Sequence, residues 1–132
     1  MNSKKIINVV AGFIYENNKF LICQRPAGKA RALLWEFAGG KVEEGESHAE
    51  ALKREFMEEL AVKISVDSLF YSHSHEYEDI IVNLFIYHAK IIQGTIRKLE
   101  HKEIKWIRSH EIDNYNFCPA DEEVLEIIKQ NY

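Results

Sequence analysis

A mixed α/β domain (α/β or α+β), a mixed β-sheet covered by helices, is the fold this sequence predicts. Three observations carry it. Runs of β-branched and aromatic residues recur along the chain between turn-forming residues, as strands do. Two segments, 47–60 and 119–130, instead repeat apolar residues at helical spacing. The two kinds of segment interleave, which builds a sheet with helices packed on it. With 132 residues and neither repeat nor linker, the whole chain, 1–132, reads as one domain.

The first strand is Lys5 to Tyr15, carried by Ile6, Ile7, Val9, Val10, Phe13 and Ile14. Asn17-Asn18 separates it from Phe20-Leu21-Ile22-Cys23, and asparagine tolerates tight turns, so the two runs form a hairpin. Pro26 to Arg31 is a loop with Gly28 and the cations Lys29 and Arg31; Leu33 to Phe37 is a short apolar piece ending at Gly39-Gly40. Ser47 to Leu60 is the clearest helix. Ser47 precedes Glu50 by three residues, a capping box, and Ala49, Leu52, Phe56 and Leu60 form the expected buried stripe. Val62 to Tyr71, Ile80 to Ile92 and Glu103 to Arg108 are expected as strands, with Tyr71 to Tyr77 as a substrate-side loop. Pro119 to Gln130 closes the chain as an amphipathic helix through Val124, Leu125, Ile127 and Ile128.

The net charge of −4 makes a poor partner for a nucleic-acid polymer. It is compatible with a small polyphosphate, because a divalent cation bridges carboxylates to phosphates. No apolar run approaches the ~20 residues of a membrane helix. Met1 to Lys5 has no leader pattern. Cys23 and Cys118 are far apart with no C-x-x-C, which reads as two reduced thiols. The expectation is a cytoplasmic protein, monomer or homodimer, with no membrane partner.

Chemistry concentrates between Gly40 and Val62. Glu55, Glu58 and Glu59 stand at i, i+3 and i+4, so three carboxylates share one helix face. Alone, such a run is usually a solvated face. Their repulsion would be relieved by a hard, oxygen-seeking cation: Mg²⁺, with Mn²⁺ as the alternative. Arg54 adjoins them. His73 and His75 share one side of a strand but have no evident third ligand, and Trp35 and Trp106 read as packing residues.

The full spacing is more specific. Gly40, five residues, Glu46, seven residues, then Arg54-Glu55-Phe56-Met57-Glu58-Glu59-Leu60-Ala61-Val62 resembles the Nudix box. Every fixed position matches except Ala61, where the box has glycine. That glycine eases a left-handed helix end, so how this helix ends is left open. Leu34 to Glu43, Gln24-Arg25-Pro26, Gly94-Thr95 with Glu100, and Pro119-Ala120-Asp121 are similar to the MutT-like branch, so the resemblance covers nearly the whole chain.

The resemblance implies the Nudix fold, an α/β/α sandwich around a mixed sheet. It implies a Mg²⁺-dependent hydrolase that converts a small-molecule nucleoside triphosphate to the monophosphate and pyrophosphate. The Gly39 carbonyl with Glu55, Glu58, Glu59 and Glu100 would hold metal, one of these acids serving as general base, and Glu46 and Arg54 would brace the site. Arg25, and less directly Lys29 or Arg31, would meet phosphate; Phe37 would wall the base pocket, with Gly40 and Lys41 beside it; Asp121 would read the base edge. An ionised Asp only accepts hydrogen bonds, which suits cytosine N4 better than guanine O6. A cytosine nucleotide such as CTP, dCTP or a modified form is therefore favoured, with 8-oxo-dGTP next, and a protonated Asp121 would remove that preference. The alternatives are another diphosphate-linked substrate (a nucleotide sugar or dinucleoside polyphosphate) or a catalytically silent nucleotide sensor.

Overall fold

The computed structural model describes residues 4–132. Met1 to Ser3, on which part of the leader reading rests, lie outside the described residues. Strand β1 (Lys5–Glu16) shows how the layers arise. Its side chains alternate, Val10 and Ile14 toward one face, Ala11 and Phe13 toward the other, and all four are buried. Strand β2 (Lys19–Gln24) repeats the pattern, Leu21 and Cys23 against Phe20 and Ile22. Strands buried on both faces need cover on both. Helix α1 (His48–Leu60) supplies one layer through Ala51, Leu52, Phe56 and Leu60. Helix α2 (Glu122–Asn131) supplies the other through Val124, Leu125 and Ile128.

The sheet between them has the order β3-β2-β1-β6-β5, where β3 is Trp35–Glu36, β5 Lys63–Glu76 and β6 Ile80–Gln93. Strand β4 (Gly39–Lys41) also pairs with β1, and β7 (Glu103–Ile107) with β2. β1 runs parallel to β6, from Lys5 opposite Ile80 to Ile14 opposite Ala89; the other pairings are antiparallel. The expected mixed sheet between helices is what forms.

Local signals are also met. Asn17 and Asn18 both take positive φ, 52° and 63°, the geometry of the tight hairpin turn. The Ser47 hydroxyl accepts the Glu50 N–H while the Glu50 carboxylate accepts the Ser47 N–H. Within the stripe Ala51 is fully buried and Ala49 only half-buried, a small shift of face. The helix ends in the left-handed conformation the box glycine would give, for Ala61 sits at φ 58°, ψ 32° and donates its N–H to the Met57 carbonyl.

Two expectations are corrected. The 71–77 segment is strand through Glu76, not loop, because β6 begins at Ile80 and offers partners out to Ile81 opposite Glu76. The closing helix starts as a 3-10 turn, Pro119–Asp121, before α2 proper; proline has no N–H to give and fits the first turn. A further 3-10 segment, Ser109–Asn114, carried no sequence signal beyond Glu111, whose carboxylate accepts the Arg108 N–H.

Candidate active site

The outer face of α1 is organised by Arg54. Its Nε and Nη2 meet the two oxygens of Glu46 at 2.7 and 2.9 Å. Nη1 reaches Glu55 at 2.8 Å and Glu58 at 3.3 Å, and Nη2 also donates to the Lys41 carbonyl at 3.0 Å. Only a planar, five-donor fork can serve so many acceptors. Glu46 in turn accepts the Glu43 N–H at 2.9 Å, so the loop between β4 and α1 is fastened to the helix. The Arg54 hydrogen bonds, with that N–H, hold the Glu46 carboxyl down to about 2.

Gly40 explains its own place in the motif. A Cβ there would stand 2.6 Å from both Glu55 oxygens. The missing side chain is what lets the Glu55 carboxylate lie against β4. At Gly39 a Cβ would collide with the Val10 carbonyl, because β4 pairs so closely with β1.

Glu59 is the buried member of the set. Its Oε1 has no hydrogen-bond partner. Burial first, then a hydrogen bond and charge repulsion from Glu55, then the charges of Glu36 and Glu100, push its carboxyl well above the ordinary range. Glu100 arrives from far along the sequence. Its loop is tied to the helix end by Arg97 N–H to the Leu60 carbonyl (2.9 Å) and Leu99 N–H to the Glu59 carbonyl (3.3 Å), and to β2 by Lys102 N–H to the Gln24 carbonyl (3.0 Å).

These residues fit a hard divalent cation. The donors are carboxylate oxygens, one is buried without a partner, and a cation would favour the ionised form that burial disfavours at Glu59. Among the described residues no three His, Cys, Asp or Glu side chains form a closed cage. Glu55 and Glu58 instead lie on Arg54, and Glu58 is exposed.

On the other side of β4 lies a cavity of about 310 Å³. Apolar side chains of β1 and β6, such as Val9 and Leu84, form its floor. All six residues expected at the substrate, Arg25, Phe37, Gly39, Gly40, Lys41 and Asp121, line it. Of the residues expected at the metal, Glu46, Arg54, Glu55 and Glu58 form one hydrogen-bonded group on the helix side, Glu59 stands beside them within reach of the Glu100 charge, and Gly40 against Glu55 joins this side to the cavity. Phe37 is both wall and core, 3% exposed and stacked on Phe20.

Details of the expected roles change. The guanidinium of Arg25 is engaged by Glu36, at 3.1 and 3.3 Å, and by the Ala30 carbonyl. It faces the cavity as half of an ion pair, not as a free phosphate clamp. Arg31 lies 4.2 Å over the Tyr77 ring and bonds Asp79 at 3.1 Å, while Lys29 does not line the cavity. Asp121 occupies the helix-start position, yet its carboxyl caps nothing. It is 5% exposed, and burial, then the charge of Glu36, push its pKa well up. The neutral form this favours is both donor and acceptor, so Asp121 by itself does not select cytosine over guanine.

His73 and His75 stand in a row between Tyr71 and Tyr77, with ring spacings of 6.0, 5.7 and 4.6 Å. Trp35 is buried edge-on to Tyr115, and Trp106 packs on the α1 side of the sheet, as expected of packing residues. Cys23 and Cys118 are free and buried, and burial raises both thiols.

Two residues escaped the sequence reading, Glu36 and His101, while Tyr77 belongs to the segment expected on the substrate side, just past the end of strand β5. Glu36 balances Arg25 inside the cavity; its signal was its place beside Phe37, on a strand of only two residues. Tyr77 forms a wall and accepts the Ala120 N–H at 3.0 Å. His101 is buried, with Nε2 at 3.5 Å from the Glu59 Oε1, and nothing local marks it.

Comparisons with known proteins place the chain in a family. The sequence profile described as the NUDIX domain matches residues 9–127. The chain is 42% identical over 122 residues to the CTP pyrophosphohydrolase of Escherichia coli, covering 92% of this chain and 90% of that protein. It is 35% identical over 123 residues to the 8-oxo-dGTP diphosphatase of Haemophilus influenzae, covering 92% and 90%. Among solved structures, the E. coli ORF135 protein superposes with a TM-score of 0.79 at 41% identity, over 93% of this chain and 88% of that one. A MutT protein from Methanosarcina mazei Go1 superposes with a TM-score of 0.87 over 98% and 97%; at 22% identity it speaks for the fold alone.

Proposed function

The chain belongs to the NUDIX domain family and is a hydrolase, and we propose that it cleaves a free nucleoside triphosphate to the monophosphate and pyrophosphate with Mg²⁺, a cytosine nucleotide (CTP, dCTP or a modified form) being preferred. The observation that carries the reading is the junction at Gly40. It sets the acidic face of α1 directly beside a cavity with the size and polarity for a base.

Glu55, Glu58, Glu59 and Glu100, with the Gly39 carbonyl, would hold the cation. When bound, it neutralises phosphate charge and lowers the pKa of water. Arg54 keeps Glu55 and Glu58 aimed at that site, and Glu46 keeps Arg54 in place. A carboxylate of this set accepts the proton of the attacking water. One water is consumed, one phosphoanhydride bond breaks, and pyrophosphate leaves. Lys41, which lines the cavity next to Gly40, would meet the phosphates. Phe37 and the floor of β1 and β6 hold the base.

A neutral Asp121 presents O–H and C=O side by side. That matches cytosine N3 and N4–H₂, and equally guanine O6 and N1–H. The cytosine preference therefore draws its support from the 42% relative, and 8-oxo-dGTP, named for the 35% relative, is the second reading. We place the protein in the cytoplasm as a one-domain monomer or homodimer that clears unwanted nucleotides; among the described residues no helix is long and apolar enough to cross a membrane.

The test is a substrate panel with Mg²⁺: CTP, dCTP, 5-methyl-dCTP, dGTP, 8-oxo-dGTP and a nucleotide sugar. The highest kcat/KM is expected for a cytosine triphosphate. A higher value for 8-oxo-dGTP would select the second reading. Turnover of the nucleotide sugar alone would overturn both.

A further inference from the structure

The loop after β6 does more than bring Glu100 to the helix. Its three backbone hydrogen bonds, to the carbonyls of Leu60, Glu59 and Gln24, fix residues 97–102 against both α1 and β2. That register inserts the His101 ring behind Glu59. Its side chain is 5% exposed and that of Glu59 17%. The two facing atoms, His101 Nε2 and Glu59 Oε1, are 3.5 Å apart, just beyond a hydrogen bond, and Glu59 Oε1 has no other partner.

The tautomer follows from what lies on the other side of the ring. Nδ1 is buried and meets no partner. An orphaned N–H is costlier and rarer in proteins than an orphaned acceptor. The ring proton therefore belongs on Nε2, pointing at Glu59. A movement of a few tenths of an ångström closes the contact, and an Nε2–H bond to Oε1 would fix the plane of the Glu59 carboxylate. Groups that stand behind metal ligands in this way orient them.

We propose that His101 is a positioning residue, donating from Nε2 to Glu59 Oε1 and so fixing the orientation in which Glu59 binds a divalent cation. This rests on the reading of Glu59 as a cation ligand. The experiment separates the two by measuring binding of Mn²⁺ alone, without nucleotide, by electron paramagnetic resonance, in the wild type and in Glu59→Gln, His101→Asn and His101→Gln. Glutamine places an amide N–H where Nε2 stands; asparagine fills similar space but cannot reach it. Thermal unfolding in EDTA confirms that each variant is folded.

His101→Asn is expected to weaken Mn²⁺ binding about 10- to 100-fold, with kcat falling in step and the nucleotide KM little changed. His101→Gln is expected to restore most of the affinity. Wild-type affinity in His101→Asn, or equal losses in the Asn and Gln variants, would overturn the role of His101. Unchanged affinity in Glu59→Gln would instead overturn the cation reading itself.

Discussion

The acidic face of α1 and the cavity lie on opposite sides of the Gly39-Gly40 strand, and they are held by different physics. On the helix face, charge is neutralised by charge. Arg54 serves three carboxylates, of which only Glu58 is exposed, while Glu59 on the same helix is largely buried and its carboxyl is raised. In the cavity, charge is suppressed by burial. Asp121 and Glu36 are both pushed toward their neutral forms, Glu36 against the opposing pull of Arg25. The first arrangement suits a cation and hydrolysis, which need full negative charges in fixed places. The second suits base recognition, which needs neutral donors and acceptors in a dry site. One enzyme keeps the two apart with a strand of three residues.

Removing the cation should separate the two regions most sharply. EDTA is expected to cut turnover roughly a thousandfold or more, since several kcal/mol of transition-state stabilisation are lost at about 1.36 kcal/mol per factor of ten. Binding of cytidine, which has no phosphate, should persist when followed by calorimetry. Next in size is Arg54→Lys, which keeps the charge but loses the fork. A 10- to 100-fold loss of kcat is expected, about the cost of disturbing groups that orient metal ligands, again with cytidine binding unchanged.

Asp121→Asn acts on the other half. The ratio of kcat/KM values between CTP and 8-oxo-dGTP should shift by about tenfold, the order of 1–3 kcal/mol that a good bidentate base contact supplies, while Mn²⁺ affinity stays as in the wild type. The same variant reports on pH. Burial raises the folded pKa of Asp121 above its unfolded value near 3.9. Its contribution to stability is thus fully present below about pH 4 and lost as pH rises toward the folded value. Asn cannot ionise, so Asp121→Asn should lose less stability than the wild type between pH 5 and 8, measured by urea midpoints. Glu46 has the opposite sign: held at about 2, it contributes stability that is lost as pH falls from its unfolded value toward 2. The smallest effect concerns the end of α1. Ala61→Gly should stabilise by roughly 0.5–1 kcal/mol, the left-handed strain of alanine less the greater unfolded freedom of glycine, with turnover unchanged.

The two regions also differ in how far the sequence reveals them. Glu55, Glu58 and Glu59 are legible because helical periodicity turns spacing into a shared face, and Ser47 with Glu50 marks where that helix begins. The cavity draws its walls from β1, β6 and the turn before α2, so no local pattern shows that Glu36, Tyr77 and Asp121 converge. Asp121 was found by resemblance, but its protonation depends on burial, which spacing does not encode. His101 was missed for a related reason: only the backbone ties of its loop to Leu60, Glu59 and Gln24 bring it to the helix. Extension of β5 to Glu76 likewise depended on the partner strand, since Ser72 and Ser74 are poor strand signals by themselves.

If the carboxylates of α1 carry the hydrolysis, removing the charge of one of them abolishes it. The most direct measurement is release of CMP and pyrophosphate from CTP with Mg²⁺, by the wild type and by Glu58→Gln in parallel. Glu58 is exposed, so its replacement leaves the fold intact. Equal amounts of the two products from the wild type, and almost none from Glu58→Gln, is the predicted result. Undiminished turnover by Glu58→Gln would contradict it.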